Sequence, residues 1–326
     1  MLDPRIQIPG TTLGVSRLCL GGNRFGGELG EAESFALLDA FVEAGGNFID
    51  TAHVYADWVT GNAPASSERM IGRWLASRKP EGIVVATKGG HPPLASPGTG
   101  RLDAASLRED VESSLRHLGL PALDLFYLHR DDPVLSVFEI LEVLEAMRSE
   151  GLLRHYGASN WDSARLQASA EIAQACGWEG FVANQAEWSL ATRNPRMRAT
   201  SLQAMDSRMK SFHRKTGLAA IPYSAQAKGY FDKLDAGLDD ATARLYDNPR
   251  SRAMADRLAK FARRETATST QVMLAALMRA PFATIPVIGC RSPEQVFSSF
   301  ASLQVNLTPA EASALLDLPA DPQRGA

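Results

Sequence analysis

The chain has 326 residues, of which 45% are hydrophobic and 22% charged, and its formal net charge is −3. This is the composition of an ordinary globular protein, and the near balance of charge argues against nucleic acid or a membrane surface as a partner. The apolar run at 272–278 is too short for a membrane span, which needs about 20 residues, and no signal-peptide core follows the start of the chain. Its three cysteines are widely spaced and form no disulfide or zinc pattern, so we expect a reducing, cytoplasmic location.

Strand and helix patterns alternate along the chain. Alternating residues and a Pro-Gly turn at 5–14 predict a small hairpin. The longest connection precedes the last strand, and its part at 230–248 is predicted to be irregular. Two helices, near 293–301 and 309–316, and a polar tail are predicted to end the chain. Eight short strands are predicted, at 18–20, 48–50, 83–87, 123–128, 154–158, 180–184, 218–222 and 284–287.

Repeated strand–helix units predict a parallel sheet, and eight of them predict closure into a (β/α)₈ barrel. We therefore expect an α/β protein with one domain over 1–326, an N-terminal hairpin and an extra C-terminal helix. An open, doubly wound sheet is the alternative. That fold would place a glycine-rich phosphate loop after the first strand, and the segment at 21–27 lacks the G-x-G-x-x-G spacing.

Three predicted strands run from apolar residues into chemically active side chains. Asp50 ends the second strand with Tyr55 close behind it, Lys88 follows the third strand, and His129 follows the fourth. The carboxyl ends of barrel strands share one rim, where barrel enzymes carry out their chemistry. A lysine ammonium stabilises a tyrosine phenolate, a carboxylate holds the lysine, and a neutral histidine can orient a carbonyl oxygen. The set predicts a proton donor for carbonyl reduction.

Other chemistry remains open for the same residues. Lys88 alone is also compatible with a Schiff-base lysine. Asp50, His53, His129 and Asp131 together raise the idea of a metal site, but the His-x-His pair of barrel hydrolases is missing, and we expect no metal. His53 is instead predicted to line the pocket, and the remaining histidines are predicted to be structural or exposed. Trp58, Trp161 and Trp188 are predicted in or near rim loops.

The ordered motifs of the chain resemble those of the aldo-keto reductase superfamily. The resemblance implies a (β/α)₈ barrel, the catalytic tetrad Asp50, Tyr55, Lys88 and His129, and NADPH as coenzyme, with NADH possible. The matching stretches are GNFIDTA at 46–52 with Tyr55, ATK at 86–88, LH at 128–129, GASN at 157–160, NQ at 184–185, IPYS at 221–224 and IPVIG at 285–289.

The resemblance also implies coenzyme contacts at the later strand ends. Short polar side chains would hold the nicotinamide amide, and an aromatic ring would stack on the nicotinamide. These residues are Ser159, Asn160 and Gln185 for the amide, Tyr223 for the stack, and Ser224 and Gln226 for the pyrophosphate.

Two glycine-containing loops contribute further coenzyme candidates. A loop that enters a helix N-terminus favours anions, and a guanidinium there can bind the 2′-phosphate of NADP. Ser298 and Ser299 stand where the family commonly has Glu and Asn against adenine, which leaves the choice between NADP and NAD open. The candidates are Gly22 and Asn23 after the first strand, and Gly289, Arg291 and Gln295 after the last.

The sequence therefore predicts an NADP(H)-dependent oxidoreductase that reduces an aldehyde or ketone with Tyr55 as general acid. Its partner would be a small carbonyl compound of unspecified identity. A coenzyme-binding regulatory subunit, similar to those of potassium channels, is one alternative. A metal-dependent barrel hydrolase is another.

Overall fold

The computed structural model of the protein describes residues 2–197, 201–234 and 236–317. Short strands and longer helices alternate through these ranges. The strands are β1 (Arg5–Gln7), β2 (Gly14–Ser16), β3 (Cys19–Gly21), β4 (Phe48–Asp50), β5 (Val84–Gly89), β6 (Leu123–Leu128), β7 (Leu153–Ser159), β8 (Ala183–Gln185), β9 (Ala219–Ala220) and β10 (Val287–Ile288).

Eight of these strands form one parallel sheet in the order β10-β3-β4-β5-β6-β7-β8-β9. The sheet curls until its two edges meet. Ala220 bridges to Thr284, and the amide of Ile285 donates to the Ala220 carbonyl at 2.9 Å. The amide of Val287 donates to the Pro222 carbonyl at 2.8 Å. This contact closes the ring, so the predicted (β/α)₈ barrel is confirmed and the open, doubly wound alternative is excluded.

Helices surround the barrel, and none of those in the described ranges is both long and apolar enough to cross a membrane. The helices are α1 (Glu31–Glu43), α2 (Ser66–Arg78), α3 (Ala104–Leu118), α4 (Val137–Ser149), α5 (Ser163–Cys176), α6 (Ser207–Thr216), α7 (Tyr230–Lys233), α8 (Asp240–Tyr246), α9 (Pro249–Glu265), α10 (Ser269–Leu277), α11 (Pro293–Phe300) and α12 (Pro309–Leu315).

Local sequence signals explain where several helices begin and end. Asp103 caps α3 by accepting a hydrogen bond from the amide of Ser106, and Ser136 and Asp162 cap α4 and α5 in the same way. Such a bond satisfies one of the free amides at the helix start. Gly119 ends α3 in the left-handed conformation, at φ 68°, that favours glycine.

The N-terminal hairpin closes the amino end of the barrel. β1 and β2 pair antiparallel, which confirms the predicted hairpin. Ile8, Leu13 and Val15 of this region belong to one buried cluster with Phe48 and Val84, the first residues of β4 and β5. With this end filled by side chains, the opposite end of the barrel, where the strands finish, is left for chemistry.

The prediction of an irregular segment at 230–248 was wrong, because α7 and α8 lie within it. The missed signal for α8 is its N-cap Asp239, which accepts a hydrogen bond from the amide of Thr242. The cap Asn248 and Pro249 start α9 directly after this segment. The predicted extra C-terminal helix is α12, and the predicted polar tail at 318–326 lies outside the described residues.

Candidate active site

Lys88 lies at the centre of the polar group predicted from the strand ends. Its Nζ donates to Asp50 Oδ2 at 2.6 Å and to the Tyr55 hydroxyl at 3.1 Å. A third bond, 2.7 Å long, goes to the carbonyl of Thr51. The side chain of Lys88 is fully buried and that of Asp50 is 3% exposed. All three ammonium protons are therefore held by protein oxygens, and the ammonium is aimed at the tyrosine.

Burial and charge oppose each other in this group. Burial lowers the pKa of Lys88, but Asp50 and then Tyr55 raise it more, so the net pKa lies above the ordinary 10.5. Burial raises the pKa of Tyr55, and the lowering by Lys88 does not offset it, so this pKa lies above the ordinary 10.0. The charge of Lys88 lowers the pKa of Tyr55, but burial raises it more. Near neutral pH Lys88 is charged and Tyr55 holds its proton.

His129, which directly follows β6, presents a neutral ring next to Tyr55. The two rings meet edge to face with centroids 5.7 Å apart. Burial lowers the pKa of His129 well below its ordinary 6.5, and the charges of Lys88 and Arg130 lower it further. Its Nδ1 is buried without a hydrogen-bond partner in the described ranges. The ring is therefore suited to a hydrogen bond with a neutral carbonyl rather than to carrying charge.

The residues predicted to hold nicotinamide lie across the barrel mouth from Lys88. Gln185 Nε2 donates to Asp50 Oδ1 at 2.7 Å, and Ser159 Oγ donates to the Gln185 carbonyl at 2.9 Å. The Tyr223 hydroxyl donates to Asn160 Oδ1 at 2.8 Å. The structure thus joins this polar group directly to the carboxylate that holds the lysine.

Gln226 connects the loops that follow β9 and β10. Its Oε1 accepts from the amide of Gly289 at 2.8 Å, and its Nε2 donates to Ser299 Oγ at 3.1 Å. Gln295 Oε1 accepts from the amide of Arg291, also at 2.8 Å. Ser299 is 3% exposed and its hydroxyl donates within α11. The predicted pyrophosphate and adenine residues therefore form one connected patch.

Glu28 lies between two arginines at the outer edge of this patch. Arg291 approaches it to 3.3 Å, with 64% and 57% of the two side chains exposed, and Arg24 also bonds to it. Arg291 is therefore available to an anion only in competition with Glu28.

The two coenzyme candidates after β3, Gly22 and Asn23, differ in their surroundings. Gly22 packs against β4, and its amide donates to the Asp50 carbonyl at 2.7 Å. Asn23 is exposed.

Comparison with known proteins identifies the family. The family model described as "Aldo/keto reductase family" matches residues 17–318. The chain belongs to the aldo/keto reductase family. It is therefore an oxidoreductase, and members of this family act on small carbonyl compounds.

Two curated relatives cover nearly the whole chain. Norsolorinic acid reductase stcV of Emericella nidulans is 30% identical over 94% of this chain and 79% of its own length. Aryl-alcohol dehydrogenase [NADP(+)] of Phanerodontia chrysosporium is 28% identical over 95% of this chain and 84% of its own. The crystal structure of a thermostable aldo-keto reductase with the inhibitor epalrestat superposes with a TM-score of 0.72 at 21% identity, over 97% of this chain and 98% of that one. That similarity supports the barrel fold.

Aldo/keto reductases generally use nicotinamide coenzymes, and the residues at the mouth suit such a group. The Tyr223 ring is anchored by its hydroxyl, as a stacking surface requires. Asn160 and Ser224 adopt left-handed φ angles of 62° and 54°, a strain that is concentrated at ligand sites. Arg291 offers an exposed guanidinium beside the start of α11. Aromatic, amide and cationic groups are thus all present.

The residues considered for a metal do not form a common site. Asp50 is paired with Lys88, and Asp131 is paired with Arg165 at 2.7 Å. His53 stacks on His117, with centroids 5.9 Å apart, and lines a cavity of about 530 Å³ together with Gly89 and His91. Its predicted place in the catalytic pocket stays a prediction.

A different group, His53, Glu68 and His117, brings its ligand atoms within 4.8 Å of one another. Both ring nitrogens of His117 already have partners there. Nδ1 lies 3.0 Å from Glu68 Oε2, and Nε2 lies 2.8 Å from an Arg69 guanidinium nitrogen. The positive charge of the Arg69 guanidinium therefore lies next to the pair formed by His117 and Glu68. The expectation that no metal takes part stays a prediction.

The three tryptophans differ in their surroundings. Trp58 is 52% exposed and meets Tyr55 edge to face, with centroids 6.0 Å apart. Trp161 and Trp188 are buried in the hydrophobic core, at 0% and 4% exposure. Only Trp58 of the three therefore remains a rim residue open to a ligand.

Residues that sequence reasoning passed over also reach this site. His91, predicted to be structural or exposed, is partly buried and packs edge to face on His129, with centroids 4.8 Å apart. Arg130 donates to the His129 carbonyl at 2.8 Å. Their positions just beyond β5 and β6 were the available signal, because rim loops contribute to barrel active sites.

Proposed function

We propose that this aldo/keto reductase reduces an aromatic aldehyde or ketone with NADPH, and that Tyr55 donates the proton. The observation that carries the proposal is the chain of hydrogen bonds from Asp50 through Lys88 to the Tyr55 hydroxyl at the open end of the barrel. A nicotinamide coenzyme, when bound, supplies a hydride to the carbonyl carbon. The protein must then supply one proton to the carbonyl oxygen.

Tyr55 is suited to this transfer because it holds its proton at neutral pH. Its raised pKa results mainly from burial. As the proton moves to the substrate oxygen, negative charge develops on the phenol oxygen, 3.1 Å from the Lys88 ammonium. Asp50 keeps that ammonium charged and aimed. A fixed charge at the site where charge develops is an effective source of transition-state stabilisation.

His129 would orient the carbonyl. A neutral imidazole donates one hydrogen bond without adding a full charge to the pocket, and burial keeps this ring neutral. Its edge-to-face contact with Tyr55 places both rings beside the same space. Together they would hold the carbonyl oxygen between an acid and a hydrogen-bond donor.

The coenzyme assignments rest on the resemblance and on the geometry at the strand ends. Tyr223 would stack on the nicotinamide, and the amide would bind at β7 and β8. Asp50 would connect this group to the acid through its bond to Gln185. The proposed contacts are Ser159, Asn160 and Gln185 for the nicotinamide amide, Ser224 and Gln226 for the pyrophosphate, and Gly22, Asn23, Gly289, Arg291 and Gln295 for the other parts of the coenzyme.

An aromatic substrate is favoured by the rim and by the relatives. Trp58 exposes half of its side chain next to Tyr55, and His91 and His129 add two further rings. Flat rings prefer edge-to-face and offset contacts with one another. The two relatives named above act on norsolorinic acid and on aryl alcohols, as their names state.

We also propose that residues 1–326 form one domain and that the protein is cytoplasmic, consistent with three free cysteines.

The test is NADPH consumption with a panel of aromatic aldehydes and ketones. Tyr55→Phe keeps the ring and removes the proton donor, so we expect kcat to fall by about 10²–10⁴-fold while NADPH still binds. Tyr230→Phe is the matched control, because its hydroxyl bonds to Asp247, a residue outside the proposed site. Equal turnover by wild type and Tyr55→Phe would remove Tyr55 from the mechanism. Absence of turnover on every carbonyl would count against the reductase itself.

A further inference from the structure

Arg130 is a charged side chain at the barrel mouth. It is partly buried, and its identified hydrogen bond goes from Nη1 to the His129 carbonyl at 2.8 Å. Across the parts of the chain that the structure describes, no carboxylate lies within 4.0 Å of it. Other arginines on the same side are paired, Arg101 with Asp110 and Arg165 with Asp131. A guanidinium has five N–H donors, so Arg130 retains capacity for a ligand.

The surroundings of Arg130 place its charge over the catalytic pocket. Burial raises the pKa of Tyr55 and of Tyr223, and the positive charge of Arg130 opposes that rise. Burial lowers the pKa of His91 and of His129, and the charge of Arg130 lowers it further. Arg130 shares the His129 carbonyl with Asn160 Nδ2, which lies 3.2 Å from that oxygen. The guanidinium therefore lies among the groups predicted to meet the substrate and the nicotinamide.

The phosphates of the coenzyme are an unsuitable partner for this charge. In the closed ring of eight strands, β6 lies four strands from β10 in either direction. Arg130 follows β6, whereas Arg291 and the predicted phosphate residues follow β9 and β10. The two arginines are thus on opposite sides of the mouth. An anion at Arg130 must come from the other ligand in the pocket.

We propose that Arg130 is an anion-binding residue of the substrate site, and that the preferred substrates are aromatic carbonyl compounds that carry a carboxylate. This inference rests on the proposed reductase function and names its substrate class. A guanidinium binds a carboxylate through two parallel hydrogen bonds, which gives orientation as well as affinity. Partial burial strengthens that bond, because the alternative is a poorly solvated and unpaired cation.

The experiment compares matched substrates that differ in charge. The three carboxybenzaldehyde isomers are measured beside the three formylbenzamides, which have similar size and no charge. Wild type, Arg130→Gln and Arg130→Lys are assayed for kcat and KM with NADPH. For the best acid, Arg130→Gln should lower kcat/KM about 10- to 100-fold, mostly through KM, as expected for a lost charge-assisted bond. The kcat/KM of Arg130→Gln for the matching amide should change little. Arg130→Lys should recover part of the lost kcat/KM for the acid.

Arg154→Gln is the control for charge alone. Arg154 follows the first residue of β7, at the amino end of the barrel, and 60% of its side chain is exposed. Arg154→Gln should leave unchanged the ratio of kcat/KM for the acid to kcat/KM for the matching amide. Thermal unfolding of each variant checks folding, and Arg130→Met, which also removes the charge, serves as the test variant if Arg130→Gln does not fold.

Two results would overturn the inference while leaving the reductase in place. Wild type could show no preference for the acids over the amides, or Arg130→Gln could weaken both equally. A rise in the Kd for NADPH with equal losses on both substrates would assign Arg130 to the nicotinamide amide instead.

If wild type reduces no aldehyde, the reductase function fails and binding decides the inference. Benzoate and benzamide are then titrated against tryptophan fluorescence, since Trp58 adjoins Tyr55. Benzoate binding in wild type that is lost in Arg130→Gln would support the anion site. Equal binding of the two compounds would overturn it.

Discussion

Gln185 donates its side-chain amide to Asp50 across the barrel mouth at 2.7 Å, over a sequence separation of 135 residues. The other carboxylate oxygen of Asp50 accepts from Lys88 at 2.6 Å. In the ring of eight strands, β4 and β8 are four places apart and therefore opposite. One buried carboxylate thus joins the proposed proton donor group to the proposed nicotinamide site.

Gln185→Met should weaken both catalysis and coenzyme binding. It removes one hydrogen bond from a buried carboxylate, so we expect kcat/KM to fall about tenfold and the Kd for NADPH to rise. Steady-state rates and coenzyme fluorescence titration measure the two effects. Gln167→Met is the control, because Gln167 bonds to Glu171 on the surface of α5. Unchanged rates in Gln185→Met would show that Lys88 alone holds Asp50 in position.

The pH dependence of reduction and oxidation should differ. Reduction needs protonated Tyr55, whose pKa lies above 10.0, and neutral His129, whose pKa lies well below 6.5. Neither group changes charge between about pH 7 and pH 9, so kcat for reduction should stay level there. Alcohol oxidation needs the phenolate, so its rate should rise with pH over the same interval. A fall in reduction centred near pH 6.5 that disappears in His129→Gln would show that His129 titrates there.

Glu28→Gln should favour NADPH over NADH. The substitution releases Arg291 from an exposed pair 3.3 Å long and leaves its guanidinium free for a 2′-phosphate. Exposed pairs contribute little, so we expect the Kd for NADPH to fall by about two- to fivefold and that for NADH to stay constant. Fluorescence titration with both coenzymes measures this.

Glu31→Gln is the matched control for that experiment. Glu31 has 56% of its side chain exposed and pairs with Arg73 at 2.8 Å. It should alter neither affinity. If Glu28→Gln changes the Kd for NADPH and the Kd for NADH equally, Arg291 does not distinguish the two coenzymes.

Gly72→Ala should destabilise the contact between α2 and α3. A Cβ at this position would lie 2.1 Å from the carbonyl oxygen of His117, which is backbone and has little freedom to move. Alanine favours helices by about 1 kcal/mol, but we expect overpacking to leave a net loss of about 1–3 kcal/mol in the free energy of unfolding. Urea denaturation measures it. Gly98→Ala, with nothing within 4 Å of its Cβ, should be nearly neutral, and an equally stable Gly72→Ala would mean that the helices separate readily.

Much of the fold could be predicted because the relevant signals are local. Apolar runs ending in Asp50, Lys88 and His129 marked three strands. The helices α7 and α8 were missed because they are short and lie within a long connection. The roles of His91 and Arg130 were missed for a different reason. Their positions just beyond β5 and β6 mark them as rim-loop residues, but a local pattern does not tell whether a rim-loop side chain faces solvent or the pocket.

The sequence by itself determined the alternation of strands and helices, the closure into eight units and the chemical types at the strand ends, since each depends on neighbouring residues. Only the tertiary structure decided which charges meet. Gln185 donates to Asp50, Glu28 pairs with Arg291, His53 stacks on His117, and Arg130 has no carboxylate partner among the described residues. Pairing and burial depend on distances between segments far apart in the chain, and these distances set both the pKa of Tyr55 and the charge available to a substrate.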